Sequence, residues 1–298
     1  MASPASPPLF ETVALIGLGL IGSSLARVMK REGLAGKIIG CARSEENRAL
    51  ARKLGFVDRV EADAAKAVEG ADLVVLCTPI GAYKAVVETI APHLKKGAIL
   101  SDVGSVKEAV LRDLSALVPD GIHFVPAHPV AGTEHSGPEA GFDTLFEGRW
   151  CILTPAEGTA SEAIARVTEL WRRAGSQVEI MDAAHHDKVM AITSHLPHLI
   201  AYTIVGTATD LEGSERAEVV KFSASGFRDF TRIAASDPVM WRDIFLNNQD
   251  AVLEMLGRFT EDLAALQRAI RWGDGKALEE LFTRAQAIRR SVVDAKQA

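Results

Sequence analysis

Val13-Ala14-Leu15-Ile16-Gly17-Leu18-Gly19-Leu20-Ile21-Gly22-Ser23-Ser24-Leu25 sets a GxGxxG pattern directly after an apolar run of strand length and at the start of a helical pattern. Each glycine has a physical reason to be there. Gly17 permits a tight turn, Gly19 lets the backbone approach a pyrophosphate, and Gly22 lets the helix pack close to the strand. The free N–H groups of the first helical turn receive the anion. Glycines also mark ordinary loops, so the pattern alone is weak; its strand–turn–helix setting predicts a dinucleotide held by Gly17, Leu18, Gly19, Leu20, Ile21 and Gly22.

Outward from this turn, short β-branched runs alternate with helical patterns, which predicts a parallel sheet covered by helices on both faces. The candidate strands are Val13–Ile16, Ile38–Cys41, Leu73–Cys77, Ile99–Val103, Phe124–Pro126 and Cys151–Thr154, with Val178–Met181 as the last. They are continuous apolar runs, as strands buried on both faces should be. Candidate helices between them include Ser23–Glu32, Glu45–Lys53 and Ala82–His93. Beyond Met181 helical periodicity dominates. Ser236-Asp237-Pro238 is a helix start, with a polar cap and proline in the first turn. After it Trp241, Phe245, Val252, Met255, Leu256, Phe259, Leu263, Leu266 and Ile270 recur at helical spacing over about 30 residues. Gly273-Asp274-Gly275 then interrupts the pattern before an amphipathic helix at Ala277–Val293. The expected fold is α/β: a Rossmann-type domain over residues 10–182, followed by an all-α domain over residues 183–298 whose apolar stripe forms a homodimer interface.

The 298 residues carry 48% hydrophobic side chains, enough to bury two cores of ordinary size. A net charge of −6 with no basic run gives no footprint for nucleic acid. The opening Met-Ala-Ser-Pro-Ala-Ser-Pro-Pro has neither a basic nor an apolar leader region, so it is expected to be a loose tail on a cytoplasmic protein. Cys41, Cys77 and Cys151 are odd in number and widely spaced in apolar runs, which favours reduced, buried thiols over disulfides or a zinc site. Val189–Gly206 is apolar enough to raise the question of a membrane span. His195, Pro197 and His198 at its centre favour a helix buried within protein.

The residues that choose between the two nicotinamide dinucleotides follow the second strand. An acidic side chain there would hold a ribose hydroxyl, but Ala42 takes its place, and Arg43 and Ser44 stand ready for a 2′-phosphate. Arg43 is equally able to stack on adenine or lie in solvent, so NADP is favoured over NAD only slightly. Thr78 and Pro79, at the carboxyl edge of the next strand, are expected beside the ribose or nicotinamide.

Four further segments concentrate unusual residues at element ends: Ser101-Asp102-Val103-Gly104-Ser105-Val106-Lys107, His128-Pro129-Val130-Ala131-Gly132-Thr133-Glu134, Ser194-His195-Leu196-Pro197-His198, and Gly226-Phe227-Arg228-Asp229-Phe230-Thr231-Arg232. Together they resemble the prephenate/arogenate (cyclohexadienyl) dehydrogenase family, in order, from about Val13 to Trp241. The resemblance implies a Rossmann domain followed by a helical dimerisation domain. It also implies oxidative decarboxylation of a cyclohexadienol in tyrosine biosynthesis, with hydride passing to NAD(P). His128, expected on a loop after a strand, matches the family's catalytic histidine, which polarises the substrate's ring hydroxyl; an imidazole suits that work near neutrality. A lone histidine is otherwise more often structural. Ser105 matches a serine that bonds the same hydroxyl, although alone it reads as a helix N-cap. Arg232 matches an anchor for the substrate carboxylate, with Asp229 three residues earlier expected to fix its guanidinium; the plainer reading is a surface ion pair. His195 and His198 share one helix face and lack a third metal ligand, so pocket-lining roles follow from the resemblance, as for Thr133 and Glu134. Trp241 matches an aromatic position near the substrate and reads equally well as core. No metal is expected.

Two other readings compete. A β-hydroxyacid dehydrogenase or imine reductase would place its catalytic group early in the helical domain, where His185-His186-Asp187-Lys188 offers Lys188. An NAD(P)-sensing binding module would keep the glycine turn but need neither His128 nor Arg232.

Overall fold

The computed structural model of the chain describes residues 7–210, 218 and 221–294, so most of the loose tail expected at the N-terminus lies outside the described residues. Residues 1–248 and 249–298 are two compact units. In the first, β1 (Phe10–Ile16), β2 (Ala35–Cys41), β3 (Arg59–Glu61), β4 (Leu73–Leu76), β5 (Ile99–Asp102) and β6 (His123–Val125) form one sheet in the order β3-β2-β1-β4-β5-β6. Every pairing in it is parallel. The order reverses between β1 and β4, the place where an open α/β sheet binds its ligand.

Both faces of this sheet are covered, which is why its strands read as unbroken apolar runs. Val13 and Leu15 pack into a cluster with Leu25, Met29 and Trp171, whereas the alternate residues Ala14 and Ile16 join Val87, Ile90 and Val110 on the opposite face. The covering helices are α1 (Leu20–Arg31), α2 (Glu45–Leu54), α3 (Ala64–Val68), α4 (Tyr83–Ile90), α5 (Glu108–Leu114) and α6 (Ser161–Arg173).

The sequence reading did not anticipate a second, three-stranded sheet: β7 (Ala127–Pro129) antiparallel to β8 (Trp150–Leu153), and β8 parallel to β9 (Gln177–Ile180). β7 is only three residues long and flanked by prolines, and β3 lies at a sheet edge without an apolar run, so neither carries a periodic signal. His128 therefore sits within a strand, paired with Ile152, and not on a loop.

After β9 come α7 (Ala183–Met190), a π-helical turn (Ala191–His195), α8 (Leu196–Thr209), α9 (Ser225–Thr231), a 3-10 turn (Arg232–Ala235) and α10 (Pro238–Asn247). The run Ala183–Thr209 is long and apolar enough to cross a membrane, and only 28% of its most apolar window is buried. The expectation of a buried helix is thus corrected: His186, Asp187 and His195 face inward while Ile192 and Ile204 remain exposed in the single chain. Asp237 caps α10 as expected, accepting from the backbone N–H of Val239 and Met240. The single long helix read from Trp241 to Ile270 is two helices, because Asn248 leaves helical geometry (φ −116°, ψ 38°).

The second unit consists of α11 (Gln249–Trp272) and α12 (Gly275–Asp294). Gly273, at φ +69°, makes the turn between them, and Asp274 accepts from Ala277 N–H at the start of α12. Leu263, Ile270, Trp272 and Phe282 of this unit are exposed.

Candidate active site

The glycine turn is built by collision. Gly17 lies at φ +111°, and a Cβ there would stand 2.6 Å from the Cys77 carbonyl carbon; a Cβ on Gly22 would stand 2.1 Å from the Gly17 oxygen. Around Gly19 nothing lies within 4 Å of such a Cβ. Two glycines are therefore required by the turn's own packing, and the third leaves open space in front of α1, whose first turn carries no acidic residue and no side-chain cap. Leu18 is buried against Gly40, whereas Leu20 and Ile21 are half-buried. Across the turn, the Thr78 hydroxyl is buried without a hydrogen-bond partner among the described residues, and Pro79 beside it is exposed. An open helix N-terminus and an orphaned hydroxyl on either side of the β1/β4 crevice fit a dinucleotide pyrophosphate and its ribose. At the end of β2, Arg43 is exposed, and the Ser44 hydroxyl caps α2 by accepting from Asn47 N–H at 3.2 Å. The three cysteines are free thiols; Cys41 and Cys151 are buried, but Cys77 at the cofactor turn is only half-buried.

The end of β5 carries a buried ion pair. Lys107 and Asp102, both 0% exposed, meet at 2.6 Å. The ammonium also donates to the Ala127 carbonyl at 2.8 Å, and the carboxylate accepts from Gly104 N–H and Ala127 N–H. This clasp ties β7 to the end of β5, one residue before His128. Burial pulls the Lys107 pKa below its ordinary value against the opposing pull of Asp102.

His128 is 7% exposed. Its Nδ1 lies 2.8 Å from His186 Nε2, and His186 Nδ1 lies 2.7 Å from Asp187 Oδ1. Asp187 in turn accepts from the first backbone N–H groups of α5, Lys107 N–H at 2.8 Å and Glu108 N–H at 2.9 Å. The helix is thus capped by a residue 80 positions away, and Ser105 does not cap it. Burial pushes His128 well below the usual histidine pKa, helped by His186, Lys107 and His195, and burial lowers His186 as well against the pull of Asp187.

From Asp187 the site continues through Asn248, whose side-chain amide donates to the Asp187 carbonyl and to His195 Nδ1 at 3.0 Å. His195 is fully buried, its Nε2 has no hydrogen-bond partner among the described residues, and burial pulls its pKa down to about 4. Its imidazole stands edge-on to Trp241, on which His198 stacks with ring centres 3.6 Å apart. Trp241 also packs with Val106, Ala109 and Ile244, the core position that its sequence allowed. Ser105 is half-buried, and its backbone carbonyl acts on His195.

The predicted Asp229–Arg232 pair does not form. Arg232 begins the 3-10 turn after α9, so the helical spacing to Asp229 is lost, and its guanidinium donates to Glu134 Oε2 at 3.1 Å. Asp229 and Thr133 are exposed, and the Thr133 hydroxyl accepts from His135 N–H. Contacts thus run from His128 through His186, Asp187 and Asn248 to His195, Trp241 and His198, with Ser105 beside His195, and Arg232, paired with Glu134, lies within electrostatic reach of His198. His186, Asp187 and Asn248 were not identified from sequence. Lys188, the residue of the rival dehydrogenase reading, is exposed on the other side of α7 from its buried neighbours His186 and Asp187. Among the described residues no group of three or more His, Cys, Asp or Glu forms a metal cluster.

A parallel sheet with a glycine turn at its switch point, joined to helices that supply histidines at the same edge, defines a Rossmann-type dinucleotide-binding oxidoreductase. Residues 25–180 match the prephenate dehydrogenase nucleotide-binding domain, and residues 182–284 match the prephenate dehydrogenase dimerization domain. A cyclohexadienyl dehydrogenase of Zymomonas mobilis is 44% identical over 94% of this chain and 96% of its own length. The crystal structure of prephenate dehydrogenase from Aquifex aeolicus in complex with hydroxyphenyl propionate and NAD+ superposes with a TM-score of 0.88 at 34% identity, covering 95% of this chain and 98% of that one. Synechocystis arogenate dehydrogenase gives 0.78 at 29% identity over 94% and 99% of the two chains. The chain belongs to the prephenate dehydrogenase family.

Proposed function

We propose that the chain catalyses the oxidative decarboxylation of prephenate and/or arogenate with hydride transfer to NAD(P), giving 4-hydroxyphenylpyruvate or tyrosine. The observation that carries this reading is His128: buried, engaged through Nδ1 alone, and clasped to the end of β5 at the edge where the dinucleotide turn lies. The names of the relatives support it, since they include cyclohexadienyl, prephenate and arogenate dehydrogenases.

In this reading the dinucleotide, when bound, accepts the hydride. His128 Nε2 accepts the ring hydroxyl's proton as that hydride leaves the carbon bearing the oxygen, so that a ketone forms where the O–H and C–H bonds break. Loss of carbon dioxide then restores aromaticity, which leaves the protein chiefly the tasks of orientation and hydroxyl polarisation. Ser105 bonds the same hydroxyl. Arg232 anchors a substrate carboxylate, and His195, His198, Thr133, Glu134, Asp229 and Trp241 line the pocket. Because the Asn248 amide donates to His195 Nδ1 and the ring stays neutral above about pH 4, Nε2 carries the hydrogen and is an uncharged N–H donor.

Gly17, Leu18, Gly19, Leu20, Ile21 and Gly22 hold the pyrophosphate, with Thr78 and Pro79 beyond. Ala42 in place of an acidic residue and the exposed Arg43 favour NADP slightly. Ser44, occupied as a helix cap, adds little to that preference, and the Aquifex relative was solved with NAD+. The match of residues 182–284 to a dimerization domain and the exposed apolar side chains of α11 and α12 support a homodimer. The two family matches, over residues 25–180 and 182–284, also support the division into a cofactor domain at 10–182 and a helical domain at 183–298. A cytoplasmic location belongs to the same reading.

Reduced-cofactor formation with prephenate and arogenate, each against NAD and NADP, tests the reading in the parent and in His128→Asn. Turnover in the parent, lost in the variant while dinucleotide binding persists, is the expected result. An inactive parent with both substrates overturns the assignment.

A further inference from the structure

We propose that His186 and Asp187 are positioning residues for His128: the run Asp187–His186–His128 fixes the ring tautomer that leaves the Nε2 lone pair of His128 free for the substrate's hydroxyl proton. This rests on the reading of His128 as the base and goes one layer behind it.

The direction of every hydrogen in the run follows from its fixed end. The Asp187 carboxylate already accepts two backbone N–H groups from the start of α5, which cannot reverse their polarity. It is therefore held as an acceptor, and His186 Nδ1 at 2.7 Å must carry the hydrogen between them. His186 is 0% exposed, and its burial, with Lys107 nearby, disfavours a cationic ring, so its Nε2 is a lone pair. The 2.8 Å contact to His128 then requires the hydrogen to sit on His128 Nδ1. A neutral His128 so tied has one nitrogen left, Nε2, and it is an acceptor.

The alternative tautomer would put two lone pairs, or two hydrogens, against each other in a site from which water is largely excluded. It would also present the substrate hydroxyl with a donor instead of a base. The two rings meet nearly perpendicular, at 71°, so the run also fixes the plane of His128. As His128 takes the proton at Nε2, its Nδ1–H remains bonded to the His186 lone pair, and the Asp187 carboxylate lies one ring behind the new positive charge. No atom changes hands in that rear part of the run; it holds and polarises.

The test uses the full-length protein labelled with ¹⁵N-histidine. Long-range proton–nitrogen spectra read the tautomer of each ring, with His128→Asn and His186→Gln assigning the signals. The expected spectrum has both His128 and His186 protonated at Nδ1 and bare at Nε2. A parent protein with His128 protonated at Nε2 overturns the proposal, whatever the variants do.

Kinetics give the second readout. His186→Leu removes the acceptor and is expected to lower kcat by roughly 10- to 100-fold, part of the 10²–10⁴ that a general base contributes. Substrate KM and dinucleotide Kd should stay within about twofold, since the His186 side chain is wholly buried. His186→Gln, whose amide can accept from His128 and donate to Asp187, should restore most of the lost kcat; a role in packing alone would not separate glutamine from leucine in this way. If His128→Asn abolishes turnover while His186→Leu leaves both kcat and the His128 tautomer unchanged, the positioning role is wrong and the base assignment stands. If His128→Asn retains turnover, the base assignment itself falls.

Discussion

Lys107→Met keeps the apolar stem of a wholly buried side chain and deletes its ammonium, leaving the Asp102 carboxylate in the interior beside two backbone N–H groups and no cation at contact distance. Breaking a buried pair on one side costs about 3–5 kcal/mol, because the remaining charge stays desolvated. The Ala127 carbonyl also loses its 2.8 Å donor, which places the expected loss toward the upper end of that range. Adding Asp102→Asn removes the stranded charge and sacrifices one backbone acceptor, a cost of about 1–3 kcal/mol. The double variant should therefore be more stable than Lys107→Met by about 2 kcal/mol, the signature of coupling in a double-mutant cycle. Urea unfolding followed by tryptophan fluorescence and far-UV circular dichroism measures all four proteins, and coincidence of the two probes licenses the comparison. The reasoning is refuted if Lys107→Met costs less than about 1 kcal/mol or if the two substitutions simply add. Because the same ammonium holds Ala127, one residue from His128, the single variant should also lose kcat under conditions where it remains folded.

The buried histidines make stability depend on pH. His195 falls from 6.5 in the unfolded chain to about 4 when folded, so its contribution is fully present above pH 6.5 and is lost as pH falls toward 4; two and a half units amount to about 3 kcal/mol. The depressed values of His128 and His186 act in the same direction, and a urea midpoint that does not move between pH 7 and pH 5 would contradict this. Gly22→Ala forces a Cβ onto the Gly17 oxygen, so dinucleotide affinity measured by calorimetry should fall at least tenfold with a stability loss of about 1–3 kcal/mol; an unchanged Kd would mean the turn does not hold the cofactor. Ile270→Asp and Phe282→Asp place charges on the exposed apolar residues of α11 and α12 and are expected to convert a dimer to monomers in sedimentation velocity. A parent that sediments as a monomer refutes the interface.

The fold was legible wherever a local pattern decides it. The glycine turn, the apolar runs of β1, β2, β4 and β5, and the Asp237 cap are short-range statements, and each appears within a residue or three of its expected place. What failed was longer in range. Arg232 and Asp229 looked like partners because they are three apart, but that holds only while the helix continues; the backbone tightens at Arg232 and Glu134, 98 residues away, takes its place. Asn248 breaks a helix whose apolar stripe runs on regardless, because its amide has two buried acceptors to satisfy. The largest omission, His186 and Asp187, did leave a trace in the sequence. Ala183, His186, Asp187 and Met190 occupy positions i, i+3, i+4 and i+7, and they are the buried face of α7. Two polar residues on the inward face of a helix cannot remain unpaired at tolerable cost, so that spacing alone requires partners elsewhere in the chain. It does not say which partners. Their identity follows only from the sheet that brings β7 and the start of α5 against that face, and so the base could be read from its motif while the residues that set its tautomer could not.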